Sequence, residues 1–188
     1  RCWSSGEIFM VKNKKYLVIY NTCGISGKDN ADYYIKALKT IRNQHFDDYV
    51  LALSSCKNTE QQIQKVIKNS NLDFVNHIDD VLPVNITFND TVKECIKIYG
   101  EFEAYLYLDW CWFGLNEYSK PRLTENFVVP IGRACNLHCQ LFSHDIYDAY
   151  GNIIPDIFRS YCTESVFSFV NAALKKQWII SSKVRVHH

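Results

Sequence analysis

Two rhythms of apolar positions alternate along the first 115 residues. "KKYLVIYNTCG" opens basic, runs apolar and β-branched from Tyr16 to Tyr20, and breaks at Asn21–Gly24. That is the pattern of a buried strand with a polar carboxyl end. In "ADYYIKALKTIRNQ", Tyr34, Ile35, Leu38 and Ile41 fall on one side of a helix. "DYVLALSSC" is a second apolar run ending in small polar residues, and "LDFVNHI" is a shorter third. Between them "NTEQQIQKVIKNS" sets Ile63, Val66 and Ile67 on a helical face, with Thr59 and Gln62 spaced as a capping box. "FNDTVKECIKIYGEF" predicts a helix from about Asp90 to Tyr99, closed by Gly100. "EAYLYLD" then climbs to Asp109 as a fourth strand.

Strand and helix in strict alternation predict an α/β domain with a largely parallel sheet flanked by helices. In such sheets ligands bind outside the carboxyl ends of the strands. The expected cleft is therefore lined by Asn21–Gly24, Ser54–Lys57 and Asp109–Trp112. Asp109 is either a metal- or sugar-binding acid there, or a polar stop on a core strand. Beyond Gly114 the pattern loosens, and three of the four prolines fall in residues 116–162. An irregular region beside a cleft is where acceptor-binding elements often sit. "TESVFSFVNAALKKQ" predicts a further helix with Thr163 as N-cap, and "WIISSKVRVHH" a final short strand.

Composition narrows the class. Twenty-one basic residues stand against twenty acidic ones, a formal charge of +1, which gives no basic stripe for nucleic acid. The apolar runs fall well short of the roughly 18 residues a transmembrane helix needs. At 188 residues the chain suits one domain with a sizeable core. "RCWSSGEIF" has neither an initiator Met nor a signal-peptide core, so the chain is expected to be part of a longer polypeptide. The eight cysteines are scattered, several inside apolar patterns, which suggests a reducing, cytoplasmic compartment. Any membrane association would come through other parts of the polypeptide. "CNLHC" (Cys135 to Cys139, with His138) is half of a zinc-site spacing without its other half. Two sequons, at Asn85 and Asn89, carry little weight in an Asn-rich chain.

Several segments, in order, resemble the nucleotide-sugar glycosyltransferases of the GT-A fold, closest to the large inverting family 2. "YYIKALKTIRNQ" is similar to that family's first helix. "NITFNDTVKECIKIYGEFEAYLYLD" is similar to the segment leading to its metal-binding Asp-x-Asp. "DIFRSYCTESVFSFVNAALKKQWII" resembles the block carrying its acidic base. The chain departs from the family at three points. Ser54 and Ser55 stand where it has an acid, Phe88 replaces the arginine before Asn89, and Trp110-Cys111 replaces the second acid after Asp109.

The resemblance implies a single GT-A-like domain over 1–188, with a nucleotide-sugar-binding half (1–115) and an acceptor-binding half (116–188). It implies transfer of a sugar from a nucleoside diphosphate sugar, a UDP-sugar foremost, to a glycan, lipid-carrier or protein acceptor. The alternative is a catalytically silent domain of the same fold that binds a nucleotide sugar or glycan, or serves in assembly. Charge builds on the leaving diphosphate as the glycosidic bond breaks, and Mn²⁺ or Mg²⁺ on hard oxygen ligands is the usual answer. Asp109 and the late histidine His187 are the metal candidates. Asn21, Thr22, Ser54, Asn89, Asp109 and Arg133 are the candidate nucleotide-sugar contacts, with Lys28 a further cation for the diphosphate. Glu164, or else Asp156, is the candidate base that takes the acceptor proton.

Overall fold

The computed structural model describes residues 14–23, 30–43, 48–56, 60–80, 82–109, 113–115, 127–130, 139–154, 179–181 and 186–187. The predicted alternation is present: β1 (Tyr16–Cys23), α1 (Asn30–Arg42), β2 (Tyr49–Cys56), α2 (Glu60–Ser70), β3 (Phe74–Ile78), α3 (Val84–Tyr99) and β4 (Ala104–Asp109). β5 (Phe113–Leu115), β6 (Phe127–Pro130), β7 (Cys139–Ser143), α4 (His144–Tyr150), β8 (Ile179–Ser181) and β9 (Val186–His187) follow. Seven strands form one sheet in the order β3-β2-β1-β4-β7-β6-β8, and β5 pairs with β9 apart from it. β7 alone runs against its neighbours β4 and β6. The α/β class with a mostly parallel sheet is thus as expected.

Because both faces of the central strands are covered, β1, β2 and β4 read as near-continuous apolar runs rather than alternating ones. Val18, Tyr20, Leu51, Leu53, Leu106 and Leu108 pack on one face with Leu38 and Ile41 of α1 and Ile63 and Val66 of α2. Leu17, Ile19, Val50, Ala52, Tyr105 and Tyr107 pack on the other with Phe88, Val92 and Cys95 of α3 and Ile146 of α4. Cys56 and Cys95 are buried, as small hydrophobes, with Cys56 Sγ 3.8 Å from the Leu82 carbonyl oxygen. Burial pushes the Cys95 thiol well above its usual pKa, with Asp73 and Glu94 adding to the shift.

Three boundaries depart from the sequence expectation. β1 continues through the polar residues to Cys23, because Asn21, Thr22 and Cys23 pair in register with Ser54, Ser55 and Cys56. α3 begins at Val84, six residues before Asp90. Its first turns hold β-branched and Asn residues of middling helix propensity. Pro83, at φ −54°, starts them, and Asn85, Thr87, Phe88 and Asn89 are all buried. Tertiary packing overrides propensity. The expected last strand is two short ones, β8 in the main sheet and β9 against β5. The predicted helix from Thr163 and the Thr59 capping box lie outside the described residues.

Gly100 does close α3, at φ 82° and ψ −173°, a conformation side chains resist, with its N–H donating to the Ile96 carbonyl at 2.9 Å. At the amino edge of the sheet one network joins four elements. Arg42 donates from Nη2 to the Asp73 carboxylate (2.6 Å) and from Nε to the Asn71 carbonyl (2.8 Å). Its guanidinium also lies 5.1 Å from the centre of the Tyr49 ring. The same carboxylate accepts the Leu51 N–H at 2.8 Å, and Tyr99 donates to the Asp73 carbonyl at 2.9 Å. Asp73→Ala removes the shared acceptor. Chemical denaturation is expected to show a loss of about 1–2 kcal/mol, toward the low end for charged hydrogen bonds because the carboxylate is partly in water.

Candidate functional site

At the carboxyl edge the register lines up residues that separate strands contribute. Asn21 of β1 stands opposite Ser54 of β2 on one side and opposite Asp109 of β4 on the other. Ser54 in turn pairs with Asn76 of β3. Three of the predicted candidates, Asn21, Ser54 and Asp109, therefore occupy one row across three strands. One residue further on, Thr22, Ser55 and His77 form a second row. Strand alternation sends the two rows to opposite faces. Asn21, Ser54 and Asn76 continue the face under α3, and Thr22, Ser55 and His77 the face under α1 and α2.

α3 supplies a polar lid over the first row. Thr87 lies 3.5 Å from Asn21 Oδ1, with its hydroxyl as donor. Asn76 donates to the Thr91 hydroxyl at 3.1 Å, and Thr91 donates to the Thr87 carbonyl at 2.7 Å. Asn21 Nδ2 and Ser54 Oγ are buried and have no hydrogen-bond partner among the described residues. A buried polar group left so costs about 1–3 kcal/mol. Two of them adjacent in register make an unbalanced pair at the edge where ligands bind.

In the second row Thr22 donates to the Ser54 carbonyl at 3.5 Å, and His77 Nδ1 lies 3.3 Å from Ser55 Oγ. His77 Nε2 comes within 3.3 Å of an exposed Asp79 oxygen, yet it makes no hydrogen bond among the described residues. Thr87, Thr91, Asn76 and His77 escaped the sequence reading, which had Ser55 only as part of the Ser54–Lys57 segment. Thr87 and Thr91 are spaced i, i+4 inside the stripe Phe88, Val92, Cys95. Asn76 and His77 extend the strand alternation past its apolar part. Those two periodicities would have found them.

Asn89 is 2 % exposed and both polar ends of its carboxamide meet Ile154. Nδ2 donates to the Ile154 carbonyl at 2.5 Å and the Ile154 N–H donates to Oδ1 at 3.1 Å. The two sequon asparagines thus lie buried in a helix, consistent with the little weight given them. His187 sits on β9, opposite Phe113, which follows Asp109 by four residues. The late strand accordingly returns to the segment just beyond Asp109. Among the described residues no group of three or more His, Cys, Asp or Glu is placed to hold a metal ion. Asp109, the last residue of β4, and His187, on β9, are thus the two metal candidates that fall among the described residues. Glu164, Asp156, Arg133, Lys28, Trp110, Trp112, Cys135 and His138 lie outside the described residues.

An open depression of about 480 Å³ lies at the opposite, amino edge, lined by Glu101, Phe102, Glu103 and His144. There the Tyr105 hydroxyl and His144 Nδ1 share a hydrogen bond at 2.6 Å, and burial raises the pKa of the hydroxyl. Tyr105, His144 and Tyr147 pack ring on ring at 5.8–6.2 Å between centroids. This cluster joins α4 to β4 and stands away from the strand carboxyl ends. Among the described residues no helix is long and apolar enough to cross a membrane.

No protein-family model matches the sequence, and no curated protein matches it. Solved structures match the fold. The chain superposes on residues 1–349 of S. aureus TarS with a TM-score of 0.63 and 17% identity, over 89% of this chain and 58% of that one. It superposes on the mannosyltransferase PcManGT from Pyrobaculum calidifontis, solved with GDP-Man and Mn²⁺, with a TM-score of 0.67 and 11% identity, over 94% and 57%. The catalytic domain of Drosophila β1,4-galactosyltransferase 7, solved with xylobiose, gives 0.60 and 7%, over 91% and 66%. The chain spans a little under three-fifths of the first two. Its fold is the one these nucleotide-sugar glycosyltransferases share, the GT-A fold.

Proposed function

We propose that the chain is the glycosyltransferase domain of a longer protein. It transfers a sugar with inversion from a nucleoside diphosphate sugar, a UDP-sugar, to a glycan, lipid-carrier or protein acceptor. The observation that carries this reading is the pair of buried atoms without partners among the described residues, Asn21 Nδ2 and Ser54 Oγ, side by side two residues before β1 and β2 end. One is a donor and the other both donor and acceptor, the set that a ribose hydroxyl or a base carbonyl satisfies. Support also comes from the fold, which TarS shares; TarS has been solved in complex with UDP.

In this reading Asn21, Thr22 and Ser54 hold the nucleoside, and Arg133 and Lys28 face the diphosphate. Asp109 faces the donor sugar and, with His187, holds the divalent ion. When bound, Mn²⁺ or Mg²⁺ supplies positive charge against the departing diphosphate. Glu164, or Asp156 in its place, takes the proton from the acceptor hydroxyl as that oxygen bonds to the anomeric carbon. The bond from that carbon to the diphosphate oxygen breaks, and the electron pair leaves with the nucleoside diphosphate.

The test is thermal unfolding with UDP or GDP, with and without Mn²⁺, followed by hydrolysis of a panel of nucleotide sugars. A ligand at 100 times its Kd stabilises the native state by about 2.7 kcal/mol. For a chain of this size that raises Tm by roughly 5–10 °C. A shift with UDP and release of UDP from one sugar donor are expected. No shift with either nucleotide rejects the reading. A UDP shift without turnover, in the complete protein, assigns the domain instead to the silent class, which the Trp110-Cys111 pair after Asp109 favours.

A further inference from the structure

We infer that Asn89 is a positioning residue, a latch that holds the chain entering residues 155–162 against α3 and acts on transfer without touching the donor. This rests on the proposed reading of the carboxyl edge, and it gives Asn89 a different part from the nucleotide-sugar contact expected from the resemblance. The carboxamide spans 65 residues of sequence to close a two-bond ring with the backbone of Ile154. Its orientation is set by the partners, since only Oδ1 can accept the Ile154 N–H and only Nδ2 can donate to the Ile154 carbonyl. With both ends so engaged, and the residue buried, it has little left for a nucleotide.

The chain reaches this latch by a defined route. α4 ends at Gly151, at φ 68°, whose N–H donates to the Tyr147 carbonyl. Ile153 and Ile154 then enter the core under α3, each 1 % exposed. Their burial is strong but non-directional, and two successive isoleucines can shift in an apolar pocket at small cost. A pair of hydrogen bonds to one peptide unit is directional and sets the register of the segment. Asn89 is two residues along α3 from Thr87, which approaches Asn21 in the carboxyl-edge row. Asp156 is two residues beyond Ile154, and two residues reach at most about 7 Å. The latch therefore ties Ile154, two residues before Asp156 in the chain, to the helix that roofs the donor row.

The experiment compares the complete protein with Asn89→Ala and Asn89→Asp. Amide exchange of the 151–154 peptide is expected to quicken roughly tenfold or more in Asn89→Ala, while β1, β2 and β4 keep their protection. The Kd for UDP is expected to stay within about threefold of the parent, and the turnover of the sugar donor to fall at least tenfold with its KM little changed, a loss confined to the catalytic step. Asn89→Asp keeps the acceptor for the Ile154 N–H but sets a carboxylate against its carbonyl, so its protection, taken relative to the intrinsic exchange rate at the same pH, is expected to recover at acid pH, where the protonated carboxyl regains a donor. Unchanged exchange at 151–154 overturns the latch. So does a UDP Kd that rises tenfold while exchange stays normal, which returns Asn89 to the donor site. If the parent protein binds no UDP, the proposed function fails separately, and exchange alone decides the latch.

Discussion

Replacing Asp109 by Asn is expected to lower sugar-donor turnover by about 10²–10³-fold, the scale at which a single preorganised electrostatic group acts. The change is nearly isosteric and lies at the last residue of β4, so the parallel pairing of Asn21 with residue 109 should remain. What is lost is one negative charge. With it go the anionic oxygen, a stronger donor to Mn²⁺ or Mg²⁺ than the carboxamide oxygen that remains, and the acceptor strength of a carboxylate toward sugar hydroxyls. Turnover should therefore fall while the melting temperature without ligand moves by no more than a few degrees. The Mn²⁺-dependent part of the UDP shift should vanish and the metal-free part should persist. Because Trp110 and Cys111 follow Asp109, no adjacent acid can substitute for it. Full turnover in Asp109→Asn would reduce this residue to a polar end of a strand.

The largest effect on stability is expected at Phe88. Its side chain is fully buried and meets Tyr107 edge to face, with ring centroids 5.0 Å apart and planes at 75°. Phe88→Ala removes a whole ring from between α3 and β4, and cavities of that kind cost about 3–5 kcal/mol. For a chain of this length the midpoint should drop by roughly 6–20 °C. Phe88→Leu, which fills more of the space, should cost distinctly less. A loss under about 1 kcal/mol for the alanine variant would mean that α3 does not depend on this contact. The prediction bears on function as well. Phe88 stands where the resembled family has an arginine, and the structure uses the position for packing, whereas Thr87 and Asn89 beside it meet Asn21 and Ile154.

Periodicity was enough for the seven alternating elements from Tyr16 to Asp109, since a strand buried on both faces must be apolar and a covering helix must be apolar along one stripe. It missed the first turns of α3. Val84, Ile86 and Thr87 are β-branched and Asn85 and Asn89 are polar, so local preference argued against a helix that buried contacts then imposed. It also ended β1 too early, because Asn21 and Thr22 look like a turn until Ser54 and Ser55 are known to lie beside them. The amino end of α4 and the antiparallel entry of β7 lay in a stretch with turn signals and no clear period.

By itself, then, the chain's pattern of apolar positions determined the class of fold and the order of its elements from Tyr16 to Asp109, and it set the expectation of a ligand at the carboxyl edge. It also picked out Asn21, Ser54 and Asp109 one at a time, each as the polar end of a strand. Only the tertiary structure decided that these three share a row, that Asn21 Nδ2 and Ser54 Oγ have no partners there among the described residues, and that Asn89 holds Ile154. The reason is physical. A period along the chain records which face of an element avoids water, a local property of consecutive residues. Register between strands and hydrogen bonds across 65 residues depend on how distant elements dock, and the spacing of apolar residues within one element does not encode that.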